Sequence, residues 1–519
     1  MKKSALIYDK WLSQLGGGEV VACRAARIIK NAGYDVTFLS GKNVSRQEIL
    51  NKLGVNLFDI EFKTVWNDEL EIKKLTQNKD LFINFTFMDY SLGRAKKNIY
   101  YTHFANKVNQ GVKGKIVNLV LLPALSAGYV PQEPIKGRVQ FEYNLVLYSL
   151  KKKVKFSYYY LLIGRTYKLE FQIYLPYFSK LVLENLRWNI DGAIIKEQTI
   201  VVEHRNNLIK INISMEPVRS TIYFEVGGKI TKLPKNFEAY LIYKPIIYHI
   251  FNLQGYFKLF QQRLDARFRA GLFRNPIKRI HSYNLVIANS QFTKYWIKKY
   301  WNKNAEVIYP PVDLIFQKSQ INPFIKKNWI CSIGRFFSVG HQKKQEVLIN
   351  AFKKFYEKDN KNWELHLIGG FDSTQPSYVH INKLKKLAQD YPIYFHLNVS
   401  REELERIIKL AKVYWHATGY GENSKRNPIN FEHFGISAIE AISAGCIPVL
   451  YDGGGLTEII KVLKLSDLHL FSDIDQLVLN TEKLIKIDNK SFLNKTLIKN
   501  LKNNFSNKTF EDNILNLIK

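Results

Sequence analysis

Cysteine is scarce: three residues in 519, at Cys23, Cys331 and Cys446. They lie far apart and form no CxxC pair, so neither a disulfide framework nor a zinc site is implied, and a reducing compartment fits. Acid is short against base, 45 Asp and Glu to 77 Lys and Arg, giving a formal net charge of +32. Such an excess suits nucleic acid, an anionic membrane face or an anionic substrate. The basic residues are spread along the chain and no nucleic-acid module signature occurs, which argues against a DNA or RNA partner. No run of about 18 uncharged apolar residues exists, so no transmembrane helix is expected. The opening Met1–Asp9 is charged, then briefly apolar, and ends in Asp9; it reads as a first strand, not a signal peptide. What remains is globular in composition, 46% hydrophobic and 24% charged. The chain is too long for one core, and its length suggests about three domains.

Ala5 to Tyr8 reads as a strand, Leu15-Gly16-Gly17-Gly18-Glu19 as a glycine loop, Val20 to Asn31 as a helix and Asp35 to Leu39 as the next strand. Strand, glycine loop, helix, strand is a Rossmann opening. The glycines let a ligand approach the backbone and the helix start favours its phosphate. The loop is not GxGxxG, so a dinucleotide is not implied, and a plain surface loop is the alternative. Leu81–Phe85 and Asn98–Tyr101 look like further buried strands, the second closed by Thr102-His103-Phe104. A histidine at a strand end is either structural or aimed into a cleft. The apolar stretch Val117–Val130, broken by Pro123, Ser126 and Gly128, reads as a buried helix in preference to a shallow membrane contact.

From about Gly137 to Leu233 the pattern alternates with period two, as in Val139–Tyr143, Lys153–Tyr158, Tyr167–Gln172, Lys210–Ile213 and Ile222–Val226. Five such runs between turn residues predict a small antiparallel β-sandwich. Tyr240 to Phe260 returns to roughly helical spacing, with Pro245 expected to kink or restart a helix. Gln261–Ala270 and Arg274–Arg279 are markedly basic. They suit an anionic membrane surface, or equally a helix with a solvated basic face.

Asn284–Ser290 reads as a strand followed by a helix from Phe292 to Tyr300, and Ala305–Asp313 as a strand stopped by Pro310 and Pro311, a stiff crossing compatible with hinge closure. Trp329–Ile333 opens a second α/β domain. Gly334-Arg335 follows, then His341-Gln342-Lys343-Lys344-Gln345; two cations about eight positions apart can grip a diphosphate from two directions. Trp363–Gly370 and Val413–His416 read as strands, with His416 and Gly419 lining the loop before Glu432, and Gly421–Asn430 as a mobile polar insertion. Asp473-Ile474-Asp475 superficially matches a DxD metal motif, but sits at an expected helix start.

The organising stretch is Phe431-Glu432-His433-Phe434-Gly435-Ile436-Ser437-Ala438-Ile439-Glu440-Ala441. Glu432 is expected in a loop, with Gly435 opening a helix and Glu440 about a turn and a half inside it. N–H groups at a helix start form an anion site. One acid can meet one end of a ligand whose phosphates rest there, and the second can take hydroxyls at the other end, which suits a nucleotide sugar. Two solvated glutamates on an ordinary helix are the alternative. The strand Cys446–Leu450 and the loop Asp452-Gly453-Gly454-Gly455 follow, and a glycine turn at a strand's carboxyl end is where open α/β sheets bind ligands.

The run EHFGISAIEAISAGCIPVLYDGGGLTEII resembles the nucleotide-sugar signature of glycosyltransferase family 4, retaining enzymes of two Rossmann-like domains (the GT-B fold); its nearest flavour is the dolichol-linked oligosaccharide α-1,2-mannosyltransferase branch. The resemblance implies an α/β chain of two Rossmann-like domains; the period-two stretch departs from that core and reads as an all-β sandwich-like insertion, giving an N-terminal domain over 1–136 and 234–312, an inserted sandwich over 137–233, and a C-terminal nucleotide-sugar domain over 313–519 whose last helix is expected to pack back on the first domain. It implies a metal-independent retaining hexosyltransferase, moving mannose from GDP-mannose to a glycan or lipid-linked acceptor, with a UDP-sugar as the main rival donor. Glu432 and His103 would contact the donor sugar. Arg335 and Lys343 would stabilise the leaving diphosphate, helped by Gly16, Gly17 and Gly18 and by Phe434, Gly435 and Ile436, and Glu440 would bind the ribose diol. No cofactor is implied beyond the donor as co-substrate. The expected place is the cytoplasm, at the inner face of the cell membrane where it contacts it. A non-catalytic sugar-nucleotide or glycan-binding protein, and another two-Rossmann enzyme such as an epimerase or phosphorylase, stay open.

Overall fold

The computed structural model describes residues 2–65, 68–108, 276–318, 326–336, 342–371, 375–487 and 489–519, and, between 108 and 276, residues 132–136, 138–142, 145–149, 154–158, 161, 163, 166–174, 188–203, 208–219, 222–226 and 240–249. The chain divides into two compact units, one of residues 1–108, 269–372 and 376–519, the other of 109–268 with 373–375.

The first unit holds two parallel sheets. Its amino-terminal lobe begins with β1 (Ser4–Asp9), α1 (Gly17–Asn31), β2 (Asp35–Ser40), α2 (Arg46–Leu53), β3 (Glu61–Thr64), α3 (Glu69–Thr76), β4 (Leu81–Asn84) and β5 (Lys97–Thr102). After the second unit it resumes with α4 (Pro276–Ser282), a strand Leu285–Ala288, a helix Gln291–Trp301 and a short strand Glu306–Val307. The central strands are apolar along their length, Ala5 to Tyr8 and Leu81 to Ile83 being buried, as parallel strands covered on both faces must be.

The second unit carries β6 (Gln132–Lys136), β7 (Arg138–Glu142), β8 (Leu145–Ser149), β9 (Val154–Tyr158), β10 (Tyr167–Tyr174), β11 (Trp188–Asp191), β12 (Ala193–Glu203), β13 (Leu208–Pro217), β14 (Ile222–Val226) and β15 (Tyr240–His249). They form antiparallel sheets in the orders β12-β13-β10-β15-β8-β7 and β11-β14-β9-β6. The sheets face each other through Phe171 and Phe224, ring centroids 4.8 Å apart, over a core that includes Leu169, Ile211 and Ile213. Two expectations are corrected here. The unit is wider than 137–233, and Tyr240–His249 is strand, not helix. Its Tyr-Leu-Ile-Tyr run favours strand, and Pro245 falls where the register with β10 shifts between Glu170 and Gln172, an irregularity that tolerates a residue without an N–H. Residues Val117–Val130 and Gln261–Ala270 lie outside the described residues.

The lobe-one strands resume as β16 (Leu285–Ala288) and β17 (Glu306–Val307), giving the order β17-β16-β5-β4-β1-β2-β3. The helix between them is α5 (Gln291–Trp301), begun by Ser290, whose side chain accepts from the Thr293 N–H at 3.0 Å. Lobe two follows with α6 (Ile315–Lys318), β18 (Lys327–Ile333), α7 (Gln345–Glu357), β19 (Glu364–Gly369), α8 (Gln375–Leu387), β20 (Ile393–Leu397), α9 (Arg401–Leu410), β21 (Ala411–His416), α10 (Ile436–Ser443), β22 (Ile447–Tyr451), α11 (Gly455–Leu463), β23 (Leu470–Phe471), α12 (Ile474–Leu484), α13 (Asn489–Phe492), α14 (Lys495–Phe505) and α15 (Asn507–Ile518). Its sheet runs β20-β19-β18-β21-β22-β23, all parallel. Each sheet grows one way and then the other, and the reversal lies between β1 and β4 in lobe one and between β18 and β21 in lobe two. Ligands bind at the carboxyl ends of strands beside such reversals.

The linker after Pro310-Pro311 runs beside the returning chain, the Val312 N–H donating to the Phe505 carbonyl at 2.9 Å. Beyond it, α15 lies on lobe one, with Phe510 and Ile514 in one core with Val21 and Ala25. Arg279 does not offer its charge to a surface. It is buried and ion-paired to Glu69, which also holds Lys73 at 2.8 Å. Asp473 caps α12, accepting the Gln476 N–H at 2.8 Å, and Asp475 pairs with Lys354. Gly421–Asn430, expected to be mobile until a ligand orders it, carries two side-chain hydrogen bonds through Glu422. Glu422 accepts from Lys344 at 2.6 Å and from Asn430 at 2.9 Å. Among the described residues no helix is long and apolar enough to cross a membrane.

Candidate active site

Two glycines set the cationic edge. Past β18, the Gly334 N–H donates to the Ile368 carbonyl at 2.8 Å. A Cβ on Gly369 would stand 1.9 Å from the Gly334 carbonyl oxygen, and one on Gly334 would stand 2.8 Å from Lys343 Cβ. Any side chain at either position would push the turn apart; with none, Arg335 is presented at the strand end and the Lys343 stem passes beneath. The Arg335 carbonyl accepts from Gln345 Nε2 at 3.1 Å, which ties this turn to α7.

Lys343 Nζ meets Glu432 Oε2 at 2.5 Å, while Lys344 turns away to Glu422 at 2.6 Å. The same Glu432 oxygen lies 3.0 Å from His416 Nε2. His416 Nδ1 lies 2.9 Å from the Tyr414 hydroxyl, which lies 3.0 Å from Ser437 Oγ in the first turn of α10. Residue types alternate along β21 so that Tyr414 and His416 share one face. Burial holds His416 below its ordinary value, with the Glu432 contact opposing. The ring is therefore neutral at pH 7 and fixes Glu432 by a hydrogen bond without adding charge.

Gly435 opens α10 with φ of +109°, a left-handed conformation that favours glycine; a Cβ there would also crowd Ile459 and Leu456 at 3.1 Å. A helix start presents main-chain N–H groups, a surface that an anion can meet. The ring of Phe434 is not part of that surface: it is buried, stacked on Tyr309 with centroids 5.5 Å apart. This restricts the expected role of Phe434 to its main chain. The loop Gly453–Gly455 is also spent structurally. A Cβ on Gly454 would lie 2.4 Å from the Glu432 carbonyl oxygen, and one on Gly455 2.6 Å from that of His433. These glycines make room for the motif backbone.

Glu440 is buried and ion-paired to Arg401 Nη2 at 2.7 Å. The pair orients the Glu440 carboxylate.

Lobe one faces this assembly. A Cβ on Gly17 would lie 3.3 Å from Ile436 Cδ1, and one on Gly18 3.2 Å from the His103 ring. The glycine loop therefore lies close to both the start of α10 and the histidine after β5. Glu19 accepts the Gly16 N–H at 2.8 Å. Burial raises the Glu19 carboxyl, opposed in part by the Arg335 charge, and burial with the Glu19 charge holds Asp9 well above the carboxylate range. Burial pushes His103 down to about 4, so at pH 7 the ring is a neutral hydrogen-bonding group. The structure thus brings Gly17, Gly18, His103, Arg335, Lys343, Glu432, Gly435 and Ile436 around one interlobe region. Sequence reasoning placed Glu19 in the glycine loop and His416 beside Glu432 without their contacts, and it missed Arg401 and Tyr414.

His103 gives a pH prediction. Between the unfolded value of about 6.5 and the folded value, the unfolded chain binds a proton that His103 does not, so stability is lost as pH falls through that window. For His103 alone, with its value near 4, the loss reaches ~3 kcal/mol. Asp9 and Glu19, being raised, pull the opposite way, losing stability as pH rises past about 4. The melting temperature of the wild type should fall more steeply than that of His103→Asn between about pH 6.5 and 4.5, as scanning calorimetry would record.

Residues 315–503 match the family model described as Glycosyl transferases group 1. The chain is 28% identical over 188 residues to the GDP-Man:Man(3)GlcNAc(2)-PP-Dol alpha-1,2-mannosyltransferase of Dictyostelium discoideum, covering 34% of this chain and 35% of that protein. It is 28% identical over 235 residues to the alpha-1,3/1,6-mannosyltransferase ALG2 of Saccharomyces cerevisiae, covering 37% and 45%. These matches thus span less than half of the length of either relative. Among solved structures, a glycosyltransferase from Rickettsia africae aligns over 100% of this chain and 98% of its own at TM-score 0.51 and 12% identity. Anabaena Alr3699/HepE, in complex with UDP and glucose, aligns over 99% of both at 0.50 and 11%. These likenesses establish the fold, two Rossmann-like lobes of the GT-B kind.

Proposed function

We propose that this chain, which carries a Glycosyl transferases group 1 match over residues 315–503, is a retaining glycosyltransferase that moves mannose from GDP-mannose to a lipid-linked glycan. The observation that carries the reading is the Lys343–Glu432–His416 cluster beside the glycine-opened start of α10, with Gly17 of lobe one in contact with Ile436. Charge develops on the departing diphosphate as the glycosidic bond breaks, and fixed cations and helix N–H groups are what stabilise it. Arg335 and Lys343 supply the cations. An ammonium has three N–H groups, so Lys343 serves Glu432 and a phosphate together. Glu432 holds the donor-sugar hydroxyls and Glu440 the ribose diol, and neutral His103 donates a hydrogen bond to the sugar or leaving group. Retention follows from attack on the face the diphosphate leaves, a phosphate oxygen taking the acceptor's proton; no protein nucleophile is used.

The names of the relatives, GDP-Man and dolichol-linked in one and mannosyltransferase in the other, support mannose and a lipid-linked acceptor. Purified chain should release GDP from GDP-mannose in the presence of a polyprenyl-diphosphate glycan, and should still do so in EDTA. Turnover of UDP-glucose with none of GDP-mannose would replace the donor assignment; loss of activity on chelation would overturn the metal-free scheme.

A further inference from the structure

We infer that His433 is a positioning residue that sets the two halves of the site in register across the lobes. It stands between Glu432 and Phe434 in the motif, and three separate contacts tie it outward. Its ring stacks on Phe104, centroids 4.2 Å apart and planes at 11°. Its carbonyl accepts from Ser290 Oγ, the cap of α5, at 2.6 Å. Its Nε2 lies 3.0 Å from the Ile429 carbonyl, so the ring orientation is fixed from lobe two while its face is pressed on lobe one.

The stacked partners are the immediate neighbours of the two residues assigned to the donor sugar. Phe104 follows His103 and His433 follows Glu432, so one ring pair fixes the separation between them. The surroundings support the same register. Phe104 also packs on Phe292 at 5.7 Å, the His103 carbonyl lies 3.4 Å from Thr293 Oγ1, and Glu458 of α11 accepts the Gln291 and Phe292 N–H groups at 2.8 and 3.1 Å. Lobe two thus caps a lobe-one helix beside the stack. The backbone of Glu432 is itself held, its carbonyl accepting the Gly455 N–H at 2.7 Å. A displacement of the His433 ring therefore has to be taken up between the lobes. Misplacing reacting groups by about 1 Å can cost on the order of 10²-fold in rate.

This inference rests on the donor reading of Glu432 and His103, and its test separates the two. His433→Ala should lower kcat with GDP-mannose by roughly 10- to 100-fold while GDP affinity, measured by calorimetry, changes by less than about threefold, because that variant keeps every group that binds the nucleotide. His433→Phe keeps the stack and should restore most of the rate. Phe104→Ala should match His433→Ala, and the double variant should be no slower than either single one, since both remove the same contact. Wild-type activity with unchanged kcat in both single variants would overturn the positioning role. So would a loss that appears as weakened GDP binding, or one that His433→Phe fails to repair. A wild-type chain that neither binds GDP nor turns over any nucleotide sugar would remove the donor reading and this inference with it.

Discussion

Glu432→Ala is expected to lower turnover by at least about 10²-fold, the scale for losing one preorganised polar group at a reacting centre. In the proposed mechanism the carboxylate has two jobs at once. Its Oε2 holds Lys343 at 2.5 Å and His416 at 3.0 Å, so removing it takes away a sugar ligand and also releases the ammonium that faces the diphosphate. The His416 ring nitrogen keeps the Thr418 hydroxyl at 2.8 Å, so the melting temperature should change little while the rate falls. Glu432→Gln keeps the shape and the hydrogen-bonding reach but not the charge, and should fall between. Steady-state kinetics with circular dichroism on the same preparations checks this; a folded alanine variant with wild-type turnover removes Glu432 from the mechanism.

Arg335→Ala and Lys343→Ala should each cost about 10²–10³-fold in kcat, because each removes a fixed charge from the leaving group. Lys343→Arg should not rescue. The lysine stem passes where a Cβ on Gly334 would come within 2.7 Å of Lys343 Cγ, a channel already filled, and a planar guanidinium is a poor substitute for a compact ammonium. Arg335→Lys keeps a charge at the exposed strand end and should retain more activity than alanine. Lys344→Ala is the control within the same run: its ammonium serves Glu422, so its rate should stay near wild type.

The parts of the fold that a one-dimensional pattern can encode were legible. Buried strands read as apolar runs, and the turns after β1 and β18 read from their glycines, because parallel sheets place both kinds of signal locally. The EHFG stretch and its flanking helix start were legible for the same reason. What escaped depends on contacts between distant segments. Phe434 looks like a ligand neighbour in the motif but is buried by Tyr309 and Phe505, which are 125 positions upstream and 71 downstream by their numbering. The packing of Gly454 and Gly455 against the carbonyls of Glu432 and His433 is likewise set by the fold. Arg401 had no motif at all and is found only by its pairing with Glu440. In the second unit, helical and strand periodicity are ambiguous over Tyr240–His249, and pairing with β10 and β8 decides for strand.

The central claim is that a nucleotide diphosphate sits between the two lobes on Arg335, Lys343 and the first turn of α10. A structure of the chain with GDP bound tests it most directly. The account predicts both side chains and the N–H groups after Gly435 within hydrogen-bonding distance of the phosphates, with the ribose against Glu440. Phosphates bound elsewhere, with Arg335 and Lys343 in no contact with them, would contradict it.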